Sequence, residues 1–533
     1  MIANQDDSRT YYTVNGLIDS LGGYGRFQIT WTIIMMFLPL TVCFVSTNTF
    51  SLQYLEVPES MDSEQIVSCV NESKFFQTEN GTFEMVAEDM YSTATEEFGL
   101  YCDREIWIPI VAAVFFVGQA VGALTAGQIS DNFGRRPALI VSELFLNVPA
   151  LLSGFFDSFP FFVVCRFLSG AGYSACYIIV YSILFEMVPS EHVILLGLGY
   201  EAVFNLGTTL LAVAAFFIRD WRWLQLFVSV LALPSIFIPF WSPESLRWLV
   251  TSGKFKKAKQ LAKRQAKANQ IRSTKYDRII DAIFYQKYQV MSERSDDSIG
   301  SWFFIVQILK MKKLQVWVLI LALCWFVLSS AYFGIIGSIV PGDTFLNVAI
   351  SGLLPLLSFP LFYPIAVRFG RKPVLVASLI LCGTSSAVIS FTYYQSDIAT
   401  QFLAHFGRLL TVCSFSINYV YTLELIPTSV RASGLAFCSA FGRFGAFITP
   451  WVAALSTAFW EPTAFLVYGL LLTLGGFMAA FYLPETLNAP IMDTLEETQQ
   501  FASSMDDSER HHLLAFSYTK SVNYRKPVIS NLN

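Results

Sequence analysis

The chain has 533 residues, of which 54% are hydrophobic, 16% aromatic and only 14% charged, and its formal net charge is −5. A soluble domain carries about 25% charged residues, so this composition excludes an ordinary soluble protein. The small net charge gives no reason to expect nucleic acid as a partner. The chain is interpreted as a polytopic membrane protein.

The chain begins with a polar segment, 1–27, which is expected to be a cytoplasmic N-terminus. It lacks the charged start and cleavage site of a signal peptide, so the first apolar helix is expected to stay as an uncleaved anchor. Twelve apolar runs of about 20 residues follow, and a backbone in lipid must satisfy its own hydrogen bonds, so all twelve are predicted to be helices. The predicted spans are 28–50, 106–128, 137–157, 160–184, 193–218, 223–242, 314–336, 345–367, 373–394, 399–423, 432–457 and 462–483.

The loop 51–104 after the first span is acidic and contains two glycosylation sequons, at Asn71 and Asn80. The loop 243–313 after the sixth span is basic instead, and its stretch 254–278 is predicted to be helical. Positive charge stays on the cytoplasmic side, so the basic loop is expected inside, the glycosylated loop outside and both termini in the cytoplasm. The basic helix is interpreted as solvated, with anionic lipid headgroups as the alternative.

Two of the nine cysteines, Cys69 and Cys102, lie in the outer loop. An oxidising exterior permits a disulfide between them, and two free thiols are the alternative. The polar tail 486–533 is expected to be disordered. Its pair His511 and His512 is interpreted as solvated, and no metal site is predicted.

Three short motifs recur in the same order, at offsets of 236, 238 and 241 residues. They are DNFGRRP at Asp131–Pro137 and VRFGRKP at Val367–Pro373, FEMVPS at Phe185–Ser190 and LELIPT at Leu423–Thr428, and SPES at Ser242–Ser245 and LPET at Leu483–Thr486. Two six-helix halves, 28–242 and 314–485, joined by a basic loop are the organisation of the major facilitator superfamily. The predicted fold is therefore an all-α membrane protein of twelve helices in two pseudo-symmetric bundles.

The repeated motifs are predicted to form a gate, because they fall at helix ends that are expected to be cytoplasmic. Ion pairs there would close the inner face and break when it opens, and a fixed structural role is the alternative. The residues assigned to these pairs are Asp131, Arg135, Arg136, Arg166, Glu186, Arg371, Arg408 and Glu424. Val367 stands where the first repeat has Asp131, so the gate is expected to be stronger in the first half.

Five longer motifs are more specific: LIDSLGGYGRFQ (17–28), YCDREIW (101–107), RDWRWLQ (219–225), SPESLRWLV (242–250) and CWFVLSSAYFG (324–334). With these motifs the chain resembles, from about residue 17 to 485, solute carrier family 22, the organic cation, anion and carnitine transporters. The resemblance implies a carrier of small organic ions that works by alternating access at the plasma membrane, with no cofactor. Members of that family usually have more cysteines in the outer loop than the two found here.

One arginine, Arg443, lies in the apolar eleventh span without an acid nearby in sequence. An unpaired cation at mid-bilayer costs about 2.5–3.5 kcal/mol on insertion scales, so Arg443 is expected to face a cavity and to bind substrate. A fixed pair with Glu201 is the alternative. By resemblance, organic-cation members tend to carry an acid at this position, and anion and carnitine members an arginine. A guanidinium binds a carboxylate through two parallel hydrogen bonds.

Two features complicate the interpretation of the site as one for simple anions. An acid, Glu201, is expected in the same cavity as Arg443. By resemblance, many anion carriers of the family have a second basic residue near Phe359, and none is evident here. A base and an acid together match a carnitine-like or amino-acid-like zwitterion. Glu201 could instead couple a proton or sodium, or only neutralise Arg443. Aromatic rings that can hold a quaternary ammonium by cation–π attraction are expected to complete the site. They are Tyr173, Tyr177, Tyr181, Tyr200, Phe204, Tyr332 and Trp451.

Three functions remain open from the sequence: a carrier of organic anions or zwitterions, which is favoured, a carrier of organic cations, and a membrane receptor without net flux. Two matched sets of gating residues favour a carrier over a receptor. No nucleotide loop, metal-ligand cluster or nucleophile–base motif is present, and the chain has only 4 histidines, so an enzyme is not expected. The expected partners are a small organic ion, lipid, and a coupling ion (sodium or proton) or an exchanged solute.

Overall fold

The computed structural model describes residues 14–45, 76–77, 83–84, 92–100, 104, 106–189, 192–271, 281, 312–337, 344–427, 431–460 and 462–487. The predicted glycosylation sites Asn71 and Asn80, the cysteines Cys69 and Cys102 and the histidines of the tail lie outside these residues. The seven cysteines within them are all buried free thiols.

A helix coincides with each of the twelve predicted spans, and these helices are numbered α1 to α12. They are α1 (Arg26–Val45), α2 (Trp107–Phe133), α3 (Arg135–Leu152), α4 (Phe159–Met187), α5 (Val193–Phe217), α6 (Trp221–Ala232), α7 (Lys312–Gly337), α8 (Thr344–Leu353 and Ser358–Phe369), α9 (Arg371–Thr392), α10 (Asp397–Leu425), α11 (Arg431–Phe459) and α12 (Thr463–Tyr482). Five shorter helices in the described part of the chain are Val14–Ser20, Ala94–Glu97, Ile238–Trp241, Leu246–Thr251 and Phe255–Ala268. The strands in the described part of the chain are the antiparallel pair β1 (Phe76–Gln77) and β2 (Phe83–Glu84), so the all-α prediction is confirmed.

Nine helical spans in the described ranges are long and apolar enough to cross a membrane, and the bent α8 makes a tenth. One of the nine, Trp221–Thr251, joins α6 to the short helices that follow it. The helices α3 and α10 fall outside this set, because each carries polar side chains that are buried against other helices, such as Asn147 on α3 and Asn418 on α10. A polar residue in a membrane bundle is tolerated where it faces protein rather than lipid.

A 3₁₀ turn that contains proline interrupts one helix in each half, at places that the repeat does not relate. The 3₁₀ turn Leu233–Phe237 leads from α6 into the short helix Ile238–Trp241, and the turn Leu354–Leu357 divides α8. Each turn has proline at its second residue, and proline has no N–H for the helical hydrogen bond.

The two halves, α1–α6 and α7–α12, meet mainly where α2 packs on α11 and α5 packs on α8. Within the first half, α2 and α4 approach closely because of glycine. A Cβ on Gly118 would lie 2.1 Å from the carbonyl oxygen of Phe167, and one on Gly122 2.1 Å from that of Ala171. A larger residue at either position would force the helices apart.

The glutamates of the repeated SPES and LPET motifs cap the N-termini of α3 and α9, which begin directly after Gly134 and Gly370. Glu244 Oε1 accepts the backbone N–H of Arg135 at 2.9 Å, and Glu485 Oε1 accepts that of Arg371 at 3.0 Å. A carboxylate at a helix N-terminus satisfies free N–H groups and favours the helix dipole.

Candidate functional site

The guanidinium of Arg443 lies inside the molecule, on α11, and only 6% of the residue is exposed. Among the described residues it makes no hydrogen bond and no ion pair, and its Nε is buried without a partner. Its Cζ lies 5.8 Å from the ring centre of Tyr173, on α4. Arg443 therefore points across the interface between the two halves.

The carboxylate of Glu201 lies on α5 on the other side of this interface, and 4% of the residue is exposed. It accepts a hydrogen bond from the hydroxyl of Tyr177. Arg408 and Arg443 act on it electrostatically, but neither forms an ion pair with it in the described structure. The fixed pair between Glu201 and Arg443 that was the alternative from sequence is thus absent from this conformation.

A ladder of three tyrosines on α4 runs past Glu201. The rings of Tyr173 and Tyr177 are stacked with centres 6.3 Å apart, and those of Tyr177 and Tyr181 are also 6.3 Å apart, because a spacing of four places them on one helix face. From α5, Tyr200 lies 4.8 Å and Phe204 5.7 Å from the ring centre of Tyr177.

The second half contributes aromatic residues that the sequence analysis missed. Tyr419 on α10 stacks on Tyr181 at 4.4 Å, and Trp325 on α7 lies 4.3 Å from Tyr419. Tyr332, which was predicted, contacts Phe415 at 5.3 Å. The repeat offset of 238 residues relates Tyr181 to Tyr419, so the repeat itself contained the signal for this residue.

Two arginines that were assigned to the gate lie elsewhere, and that prediction is wrong. Arg408 is 16 residues from Glu424 on α10, which is about 24 Å at 1.5 Å per residue. Arg166 is 20 residues from Glu186 on α4, or about 30 Å. Arg408 instead lies beside the site: its Cζ is 3.5 Å from the ring centre of Tyr332, and its Nη1 donates to the backbone oxygen of Tyr332 at 3.2 Å.

Trp451 was predicted to line the site, but the structure places it apart. It is eight residues beyond Arg443 on α11, or about 12 Å along the axis, and 41% of it is exposed. Its ring makes no contact with the aromatic residues of the site within the described part of the chain.

The predicted ion pairs form at the inner end of the bundle, which is the end where α2 meets α3, but each joins helices of one half. Arg135 binds Glu186 at 2.8 Å and Asp131 at 2.9 Å in the first half. Arg371 binds Glu424 at 3.0 Å in the second. Each pair thus lies within one half, a geometry that fits the fixed structural role given as the alternative to a gate.

The prediction that Arg136 belongs to an ion pair of the gate is also corrected. Its guanidinium donates to the backbone oxygen of Pro239 at 3.0 Å and to that of Phe240, and it forms no ion pair in the part of the chain that the structure describes. Arg136 thus ties the start of α3 to the end of the sixth span.

A different contact joins the halves at the inner end. The backbone N–H and the hydroxyl of Ser433, at the start of α11, donate to Asp131 Oδ2 at 2.8 and 2.6 Å. Arg431 lies over the ring of Phe185 at 4.9 Å. Val367, the repeat counterpart of Asp131, has no carboxylate to make a matching bond.

The halves also meet on the outer side of the site. The rings of Phe116 and Phe333 are 4.9 Å apart, and those of Phe216 and Phe345 are 5.8 Å apart. In the described structure the halves are therefore in contact on both sides of the buried residues Arg443 and Glu201.

The site thus combines a guanidinium with free hydrogen-bonding capacity, a carboxylate and a cage of aromatic rings. Such groups can hold an anionic group at one end and an ammonium group at the other. Within the described ranges, no group of three or more His, Cys, Asp or Glu side chains could hold a metal ion.

Residues 65–497 match the family described as sugar (and other) transporter. The chain is 30% identical to solute carrier family 22 member 15 of Xenopus tropicalis (78% of this chain, 76% of the relative). It is 27% identical to the organic cation transporter protein of Drosophila melanogaster (77% and 74%) and 28% identical to organic anion transporter 3 of Homo sapiens (76% and 74%). The solved structure of the proton:xylose symporter XylE bound to 6-bromo-6-deoxy-D-glucose has the same fold, with a TM-score of 0.63, 17% identity, and coverage of 91% of this chain and 99% of XylE.

Proposed function

Because this chain belongs to solute carrier family 22 of the major facilitator superfamily and is a multi-pass membrane transporter, we propose that it carries small organic anions or zwitterions. The favoured substrates are carnitine-like or amino-acid-like molecules. Arg443 binds their carboxylate, and Glu201 with the surrounding tyrosines binds their ammonium group. The carrier works at the plasma membrane with both termini in the cytoplasm.

The observation that supports this proposal is the guanidinium of Arg443, which is buried between the halves without a hydrogen-bonding partner among the described residues. A buried cation without a partner is unfavourable, and a substrate carboxylate removes that cost. Hydrogen bonds to charged groups contribute about 1.5–3 kcal/mol, so this contact corresponds to a preference of about 10- to 100-fold.

Alternating access follows from where the halves meet. The inner bond between Asp131 and Ser433 joins α2 to α11, and the outer ring contacts join α2 to α7 and α5 to α8. Rocking of one half against the other breaks either the inner or the outer contacts while the others persist. The ion pairs Arg135–Glu186 and Arg371–Glu424 stay intact throughout, because each lies within a half.

The test is uptake of radiolabelled carnitine, urate, an aryl carboxylate and tetraethylammonium in one cell type that expresses the full chain. We expect saturable uptake of carnitine or of an anion, well above that of vector-transfected cells. Uptake of tetraethylammonium alone would contradict the proposal. Binding without counterflow in proteoliposomes would indicate a receptor instead of a carrier.

A second candidate, a carrier of organic cations, is favoured by Glu201 and the aromatic cage, since both attract cations. A relative with 27% identity is also named organic cation transporter protein. In this case Glu201 would balance Arg443 and bind the substrate's cationic group directly.

Replacement of Glu201 by Gln separates the two candidates. For a zwitterion carrier, we expect uptake of zwitterions to fall about 10-fold while uptake of a simple aryl carboxylate is retained, because only the ammonium contact is lost. For a cation carrier, uptake of tetraethylammonium is lost. Glu201→Asp keeps the charge and serves as the matched control, and it should recover part of the activity.

A further inference from the structure

A second buried carboxyl group, that of Glu143, lies in the middle of α3 and takes no part in the substrate site. It is 0% exposed. Three polar groups contact it: Cys176 Sγ on α4 at 2.8 Å, Ser235 Oγ after α6 at 2.5 Å, and Asn147 Nδ2 on its own helix at 2.9 Å. The titratable group that faces it is the thiol of Cys176, and no Lys, Arg or His pairs with it in the described structure.

Glu186 offers a direct comparison, because it is also 0% exposed but receives two hydrogen bonds from the guanidinium of Arg135, at 3.2 and 2.8 Å. Glu186 can therefore be buried as a carboxylate. An ionised carboxylate without a cation is far more costly in a protein interior than a neutral carboxylic acid. The environment of Glu143 favours the neutral acid.

We propose that Glu143 is a proton-binding site, occupied by a proton in this conformation. The proton comes from water and remains as the carboxyl O–H, so no other group changes. The site is separate from the substrate site: Cys176 contacts Glu143, while the next residue, Tyr177, contacts Glu201 on a different side of α4. The first half thus carries two carboxyl groups that flank α4, and only one of them borders the substrate.

The direct test is infrared spectroscopy of the purified full-length carrier in lipid vesicles. Glu143→Gln should remove one carbonyl stretching band of a protonated carboxyl, with uptake and thermal midpoint retained, because glutamine resembles the neutral acid in shape. Glu186→Gln, the control with an ion-paired glutamate, should remove no such band. Glu201→Gln identifies any band of the substrate site. Loss of no band in Glu143→Gln overturns the proposal.

Cys176→Ala provides a second measurement if Glu143→Gln does not fold. Loss of the thiol contact should shift the same carboxyl band in otherwise native protein, and an unchanged spectrum contradicts the proposal.

The thermal stability of the carrier should also respond to pH. The folded state holds a proton that the unfolded chain releases above the ordinary pKa of glutamate, about 4.3. As pH rises above that value, the wild type should therefore lose thermal stability more steeply than Glu143→Gln. Equal slopes would overturn the assignment.

Discussion

Replacement of Arg443 by Asp is expected to lower the uptake of carboxylate-bearing substrates about 100-fold or more, because a charge-assisted contact is lost and a repulsive charge replaces it. The same variant places a second acid beside Glu201 and the tyrosine ladder, so uptake of tetraethylammonium should increase. The measurement is concentration-dependent uptake of both substrate types, corrected for the amount of carrier at the cell surface.

Two control variants separate recognition from folding. Arg443→Lys keeps the charge but not the planar pair of donors, so we expect a smaller loss, about 10-fold. Arg368→Asp changes an arginine at the exposed end of α8, away from the site, and should leave uptake unchanged. Wild-type kinetics in Arg443→Asp would show that the substrate does not bind this guanidinium.

Replacement of Glu186 by Leu is expected to destabilise the first half by about 3–5 kcal/mol, because Arg135 stays buried and, among the described residues, keeps only Asp131 as its ionic partner. The amount of folded carrier and its thermal midpoint in detergent should both fall. The double variant Arg135→Leu with Glu186→Leu should recover only part of the loss, because it removes the buried cation of Arg135 but leaves Asp131 without its ionic partner.

Ser433→Ala is the matched control for this prediction. It removes one of the two hydrogen bonds to Asp131 between the halves without burying a charge, so the thermal midpoint should change little. If Glu186→Leu melted like the wild type but altered the exposure of the inner face to a thiol reagent, the pair would act as a gate and its assignment to one half's internal structure would be wrong.

Much of the architecture follows from local sequence patterns. Each of the twelve predicted apolar spans coincides with a helix, because a helix in lipid satisfies the hydrogen bonds of its own backbone whatever its neighbours are. The spacing of Tyr173, Tyr177 and Tyr181 placed them on one face, because helical geometry depends on nothing outside the helix. The repeated motifs indicated where acids and arginines would meet, and Arg135–Glu186 and Arg371–Glu424 are such pairs.

Two features could be read only from the folded structure: how far along its helix a residue lies from its expected partner, and which neighbouring helix its side chain contacts. Arg166 and Arg408 share helices with gate acids but lie about 30 and 24 Å from them, which only the direction and extent of α4 and α10 reveal. Cys176 and Tyr177 are adjacent in sequence, yet one contacts Glu143 and the other Glu201. Contacts between segments more than a hundred residues apart, such as Asp131 with Ser433, depend on how the two halves pack, and no local pattern encodes that packing.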